Sequence, residues 1–361
     1  MSREPDRELL RTLALTPGAP GHEREVRRVV REALTGCGEV TYDRLGSILC
    51  EKRGSSDFPR ILLDGHMDEV AFMVQSIGED GRLRFVALGG WWEHVLLAQR
   101  VWILTEADER IPGVIGSRPP HFLSSDERQR VVSIEAMYID IGATSRLEAE
   151  SYGVRVGDAV VPAGEFRPLT NPDILSCKAF DNRVGIGILC ETLRSLRGVE
   201  HPNTVIGVGA VQEEVGCRGA RTASEVARPD VAIVLEGTPA DDTPGFSEPQ
   251  GVLGRGPQIR FFDPTAIASK RLIRFVEEVA AKESIPLQLA VRRSGGTDAS
   301  AVHVHGRGVP TVVIGVPARY IHTHVSLIHW QDYAAAHSLV VALLERLDAG
   351  VARGLVDFTV R

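Results

Sequence analysis

The sequence predicts an α/β fold, an open sheet covered by helices and interrupted by a β-rich insertion. Three observations predict it: an amphipathic helical start, a central run of short β-like segments, and a C-terminal half in which strand-like and helix-like segments alternate. At 361 residues the chain is long for a single core and fits two domains, or one domain carrying a large insertion. Hydrophobic residues make up 43% and charged residues 25%, the balance of an ordinary globular chain able to bury a sizeable core.

The elements follow in order. "DRELLRTLAL" from Asp6 and "GHEREVRRVVREAL" from Gly21 place apolar residues three and four apart, with Pro17 and Pro20 between them, so each predicts a helix. "ILCEKR" and "RILLDGH" read as short strands. Between Glu69 and Thr170 the runs "AFMVQSI", "RLRFVAL", "RVWILTE", "AMYIDIG" and "DAVVPAG" are parted by glycine- and aspartate-containing turns, with no helix-length period in the middle. Thereafter "DNRVGIGILCETLRSL" reads as a helix, "TVIGVGAV" and "DVAIVLE" as strands, "ASKRLIRFVEEVAAKE" as a helix, and "PTVVIGV" as a strand. A long helix from Trp330 closes the chain. The expected organisation is one discontinuous domain, residues 1–68 and 171–361, split by a β-rich domain of residues 69–170.

Several classes of function are disfavoured at once. A net charge of -7 with no lysine/arginine block leaves no electrostatic footprint for nucleic acid. "MSREPDRELL" lacks the basic start and apolar run of a secretory signal, and no segment stays apolar for the length of a bilayer. The expectation is a cytoplasmic protein with no membrane partner. The 5 cysteines, Cys37, Cys50, Cys177, Cys190 and Cys217, form no C-x-x-C pair and are expected to be free and mostly buried.

Acids and histidines fall where strands end. "RILLDGHMDE" ends one on His66, "TVIGVGAVQEE" one on Glu213 and Glu214, "DVAIVLE" one on Glu236, and "PTVVIGVPARYIHTH" approaches His322. Ligands of open α/β sheets collect beyond the carboxyl ends of strands, so these ends are expected to converge on one crevice. Asp181 in "KAFDNRVG" is a fifth candidate, although aspartate at a helix start is often only its cap. Two histidines and three carboxylates form a donor set for two divalent ions, zinc first, with cobalt or manganese as alternatives. Without cations, so many carboxylates in a dry cleft would resist ionising together. Adjacent residues at a strand end point to opposite sides, so one acid of the Glu213–Glu214 pair can bind metal while the other takes a proton from water.

Asp68, two residues after His66, fits the carboxylate that orients a metal-binding imidazole, against the plainer reading of a solvated loop acid. His94, His121, His201, His303, His305 and His329 are expected to be surface or packed histidines, and His324 lies near enough to His322 to share its face. "GGTDAS" from Gly295 reads as a plain turn.

The stretches "LLDGHMDEVAFMV", "KAFDNRVG", "VQEEVGCRGA", "DVAIVLEGTPADDTPG", "SGGTDASAVH" and "GVPARYIHTHVS" together resemble the glutamyl aminopeptidase and tetrahedral (TET) aminopeptidase family of dinuclear metallopeptidases. Some members of that family carry the name endoglucanase. The resemblance runs in order over nearly the whole chain. It implies a zinc-exopeptidase-type mixed sheet covered by helices, with the insertion acting as a dimerisation domain, and dimers assembling into a dodecamer. It implies that His66 and Glu236 hold one ion, that Glu214 and His322 hold the other, and that Asp181 bridges them. Glu213 would be the general base and Asp68 would orient His66.

The expected activity is removal of N-terminal residues from peptides by a water shared between the ions. A related metal-dependent deacylase or carboxypeptidase, and a catalytically idle oligomeric scaffold, are the alternatives. Two departures from the family pattern stand out: many relatives have aspartate at the position of Glu236, and "GGWWEH", with Trp91, Trp92 and His94, replaces their "GGWDPQ".

Overall fold

The computed structural model describes residues 5–359. A 12-stranded sheet forms its larger part. Strands Thr204–Ala210, Arg60–His66, Val231–Pro239 and Thr311–Arg319 lie side by side and parallel at its centre. Ile48–Arg53 flanks them antiparallel on one side, and Ser326–His329 followed by Ile174–Cys177 on the other.

Parallel strands are covered on both faces and read as continuous apolar runs. Val231 to Thr238 is accordingly buried throughout, which makes Glu236 an acid inside a core strand. The helix Phe180–Ser195 packs across that strand and across Arg60–His66. The helix Arg24–Ala33 buries Val26, Val29, Val30 and Ala33, the three-and-four spacing visible in its sequence.

Six strands, Ala71–Ile77, Leu83–Leu88, Tyr138–Asp140, Arg110–Gly116, Arg100–Leu104 and Ala159–Pro162, close into a separate barrel. Closure leaves no unpaired edge, and Phe72, Val74, Phe85, Ile103, Ile115 and Val160 form its core. The barrel strand Arg110–Gly116 is not evident in the sequence, because Pro112 and Gly113 break its β pattern. Pro112 is tolerated because it lies outside the Val114–Gly116 stretch that pairs with Tyr138–Asp140. The helix Arg218–Ala227 also escapes the periodicity. Its buried face is made of Gly219, Ala220, Ala223, Ser224 and Ala227, too small to register as an apolar stripe.

Among the described residues no helix is long and apolar enough to cross a membrane. All of the cysteines are free, and Cys217 is the one that is not buried.

Candidate metal centre

The ends of the central strands bring the predicted side chains together. His66 closes its strand, Glu236 lies in the next, Glu213 and Glu214 follow Ala210, and His322 follows Arg319. His66 is buried at 1% exposure, and its Nε2 lies 3.2 Å from Asp181 Oδ1, 3.4 Å from Glu236 Oε1 and 3.7 Å from Glu213 Oε2. His322 Nε2 lies 3.3 Å from Asp181 Oδ2 and 3.5 Å from Glu214 Oε2. Asp181 thus offers one oxygen to each imidazole.

Asp181 does not cap its helix. Its φ and ψ of -81° and 106° are not helical, and the neighbouring Asn182 does the capping. Asn182 Oδ1 accepts from the Gly185 N–H at 3.0 Å and the Gly237 N–H at 3.1 Å, and its Nδ2 donates to the Leu235 carbonyl at 2.8 Å. One buried amide therefore fastens the helix start to the strand carrying Glu236 and leaves the Asp181 carboxylate unclaimed. Gly237 is required for this approach, since a Cβ there would lie 2.9 Å from Asp181 Cα.

Below the same turn, Lys178 Nζ donates to both oxygens of Glu69, at 2.6 and 2.7 Å, and Arg183 Nη2 reaches Glu69 Oε1 at 3.4 Å. All three side chains are buried. This network ties the segment after His66 to the segment before Asp181.

Asp68 is fully buried. Its Oδ1 accepts from the Glu213 N–H at 3.0 Å and its Oδ2 from the Glu214 N–H at 3.1 Å, while Oδ1 also lies 3.4 Å from His66 Nδ1. His66 Nδ1 is closer, at 3.1 Å, to the Asp68 main-chain oxygen. Asp68 thus fixes the imidazole, chiefly through its main-chain oxygen, and its carboxylate fixes the backbone of the acid pair. Those acids diverge for a reason other than strand alternation. The strand ends at Ala210, and Gln212, at φ 57°, turns the chain so that Glu213 faces His66 and Glu214 faces His322.

His324 sits apart from the cluster. It is buried with its ring 5.4 Å from that of Trp91, which itself stacks on Phe72 and donates Nε1–H to the Ala71 carbonyl at 3.0 Å. The "GGWWEH" stretch also supplies a contact not anticipated in the sequence: His322 Nδ1 lies 2.8 Å from the Gly90 carbonyl, which fixes the tautomer that leaves Nε2 free for a ligand. Asp298 of "GGTDAS" is a second missed residue. It is no surface turn acid but is 1% exposed and lies beside Glu213 and Cys217.

The electrostatics call for cations. Burial, reinforced by Asp298, Glu236 and Asp181, pushes the Glu213 carboxyl well above its usual range, and burial together with Asp181 does the same to Glu214. Burial opposes charging His322, but its hydrogen bond to Asp181 and the Glu214 charge override this and raise it to about 10. Glu214 Oε1 and Glu236 Oε2 are buried without a hydrogen-bond partner. Orphaned carboxylate oxygens beside two imidazoles fit divalent ions, which would satisfy them and relieve the repulsion.

A pH dependence follows for the metal-free chain. His322, Glu213 and Glu214 hold protons more tightly when folded, so stability falls as pH rises. The His322 contribution is fully present below the unfolded imidazole value of about 6.5 and is lost as pH rises through about 10. Thermal melts of metal-free protein are expected to show a midpoint that declines over this window, and added divalent ion to raise it most at the alkaline end.

Acids and imidazoles gathered at the carboxyl ends of parallel strands, with unsatisfied buried carboxylate oxygens, form a divalent-ion centre of the class that metal-dependent hydrolases use. Comparison with known proteins gives the particular kind. The glutamyl aminopeptidase M42 family model matches residues 46–339. The glutamyl aminopeptidase of Lactococcus lactis is 36% identical over 331 residues, 91% of this chain and 92% of the relative. The lysyl aminopeptidase of Pyrococcus furiosus is 36% identical over 351 residues, 95% and 97% of the two chains.

Among solved structures, a TET aminopeptidase from a marine sediment thaumarchaeon superposes with a TM-score of 0.94 at 45% identity, covering 97% of this chain and 98% of that one. The TET1 peptidase of Pyrococcus horikoshii superposes at 0.85 with 32% identity, covering 94% and 99%. The chain belongs to the M42 glutamyl aminopeptidase family. It is a metal-dependent peptide hydrolase that acts on peptide N-termini.

Proposed function

We propose that the reaction runs at a centre for two divalent ions, zinc foremost, one held by His66 and Glu236 and the other by Glu214 and His322. Asp181 would stand between them. The observation that carries this reading is the placement of the two Asp181 oxygens, 3.2 Å from one imidazole and 3.3 Å from the other. When bound, the ions supply Lewis acidity to the scissile carbonyl and lower the pKa of a water.

Glu213 acts as the general base: it takes the proton of the attacking water and returns it to the leaving amine. Its Oε2 lies 3.7 Å from His66 Nε2, at the edge of the cluster. Asp68 is a positioning residue, orienting His66 and anchoring the backbone of both glutamates. The substrates are peptides with a free N-terminus.

Residues 1–68 and 171–361 make up the catalytic domain, and residues 69–170 are the dimerisation domain of a cytoplasmic homo-oligomer in which dimers build a dodecamer. The Pyrococcus horikoshii TET1 peptidase, which assembles into a tetrahedron or a large octahedral shell, supports this assembly. The relatives are named for glutamyl and for lysyl residues, which differ in charge.

The test is removal of metal by a chelator, followed by readdition of zinc, cobalt or manganese, against a panel of aminoacyl amides. Activity should vanish and return with a fixed metal-to-chain ratio. Full turnover by a preparation free of metal would end this reading.

A further inference from the structure

Glu213 faces two ways. Its Oε2 looks toward His66, whereas its Oε1 lies 3.5 Å from Cys217 Sγ. On that second side, one ligand atom from each of Glu213, Cys217 and Asp298 lies within 4.8 Å of the others. The Thr297 carbonyl oxygen is 3.4 Å from the same sulfur. Asp298 is 1% exposed, and among the described residues no N–H group or hydroxyl donates to either of its carboxylate oxygens. Asp64, also fully buried, lies within hydrogen-bonding reach of Asp298, and burial reinforced by the Asp64 charge raises the hold of Asp298 on a proton.

We propose that Cys217, Glu213 and Asp298 form a third, inhibitory cation site, selective for thiophilic divalent ions such as zinc and cadmium, that takes Glu213 out of the reaction when filled. The donor set differs from that of the two-ion centre in having a thiolate, which is soft and favours zinc and cadmium over manganese. Binding releases the thiol proton to solvent and forms a metal–sulfur bond. Burial pushes the Cys217 thiol far up, so this loss of a proton weakens the site relative to the two-ion centre. Glu213 then spends Oε1 on the cation and is no longer a free base. The inhibitory consequence rests on the reading of Glu213 as the base; the binding of a further ion does not.

The test uses holoenzyme loaded with manganese and titrated with cadmium. Bound cadmium per chain, the ultraviolet charge-transfer band of a cadmium thiolate, and hydrolysis of an aminoacyl amide are followed together. The expected result is one further equivalent that brings the band and lowers turnover by about 100-fold, the order of a lost general base. Cys217→Ser should keep basal turnover and lose the band and the inhibition together. Asp298→Asn should weaken both; if that variant fails to fold, Cys217→Ser alone decides.

Inhibition that persists in Cys217→Ser, or arises without the thiolate band, would place cadmium in the two-ion centre and overturn the proposal. So would a band of the same strength in Cys217→Ser. Saturation with no additional equivalent would overturn it too. A thiolate-bound ion that leaves turnover intact would overturn the inhibition and count against Glu213 as the base, without touching the metal ligands.

Discussion

Replacing Glu213 with glutamine is expected to lower turnover of an aminoacyl amide by about 10²- to 10⁴-fold, the usual contribution of a positioned base, while leaving metal content unchanged. The substitution is isosteric and keeps the backbone N–H that Asp68 accepts at 3.0 Å. It removes only the ability to accept a proton. A ligand would behave differently, because its loss would lower metal affinity first. Measuring kcat and bound metal on the same preparation separates the two roles. Wild-type turnover in the variant would remove Glu213 from the mechanism, and loss of an ion would make it a ligand.

Asp181→Asn is expected to have a different signature: metal content falls, and turnover falls with it. Two like unit charges at 4 Å repel by about 4 kcal/mol at an effective dielectric of about 20, and two divalent ions repel several-fold more. An anionic group between them offsets this, and Asp181 is the carboxylate that faces both imidazoles. Asparagine keeps the shape but removes the charge. The cap made by Asn182 does not involve the Asp181 side chain, so the fold should survive the change. Metal analysis after dialysis, with a thermal melt as control, reads the result. Retention of the full metal complement would show that Asp181 is a helix-start residue and no more.

The fold was legible in proportion to the size of the repeating side chains. Val26, Val29, Val30 and Ala33 announced their helix, and the all-buried run from Val231 announced a core strand. The helix Arg218–Ala227 did not announce itself, because a face of glycine and alanine packs close without large apolar residues. Nor did the strand Arg110–Gly116, where Pro112 is tolerated because it has a strand partner on one side only.

The candidate site was legible as a set of residue types. Strand ends could be placed from periodicity, and His66, Glu213, Glu214, Glu236 and His322 stood at or just beyond them. Asp298 and Asn182 were not legible as site residues. A turn aspartate and a cap asparagine look the same in a sequence whether they lie under solvent or under a catalytic centre.

The sequence by itself determined the chemistry on offer: an α/β sheet with acids and imidazoles at its strand ends, because local periodicity sets where strands stop and residue type sets which ions can bind. Only the tertiary structure decided the direction of each group. Asp68 grips the backbone of residues 213 and 214, Asn182 joins a helix to a strand more than fifty residues further along the chain, and Gly90 sets the His322 tautomer from across the fold. Each of these is a hydrogen bond between segments distant in the chain, formed where burial excludes the water that would otherwise compete, and no local pattern encodes such a bond.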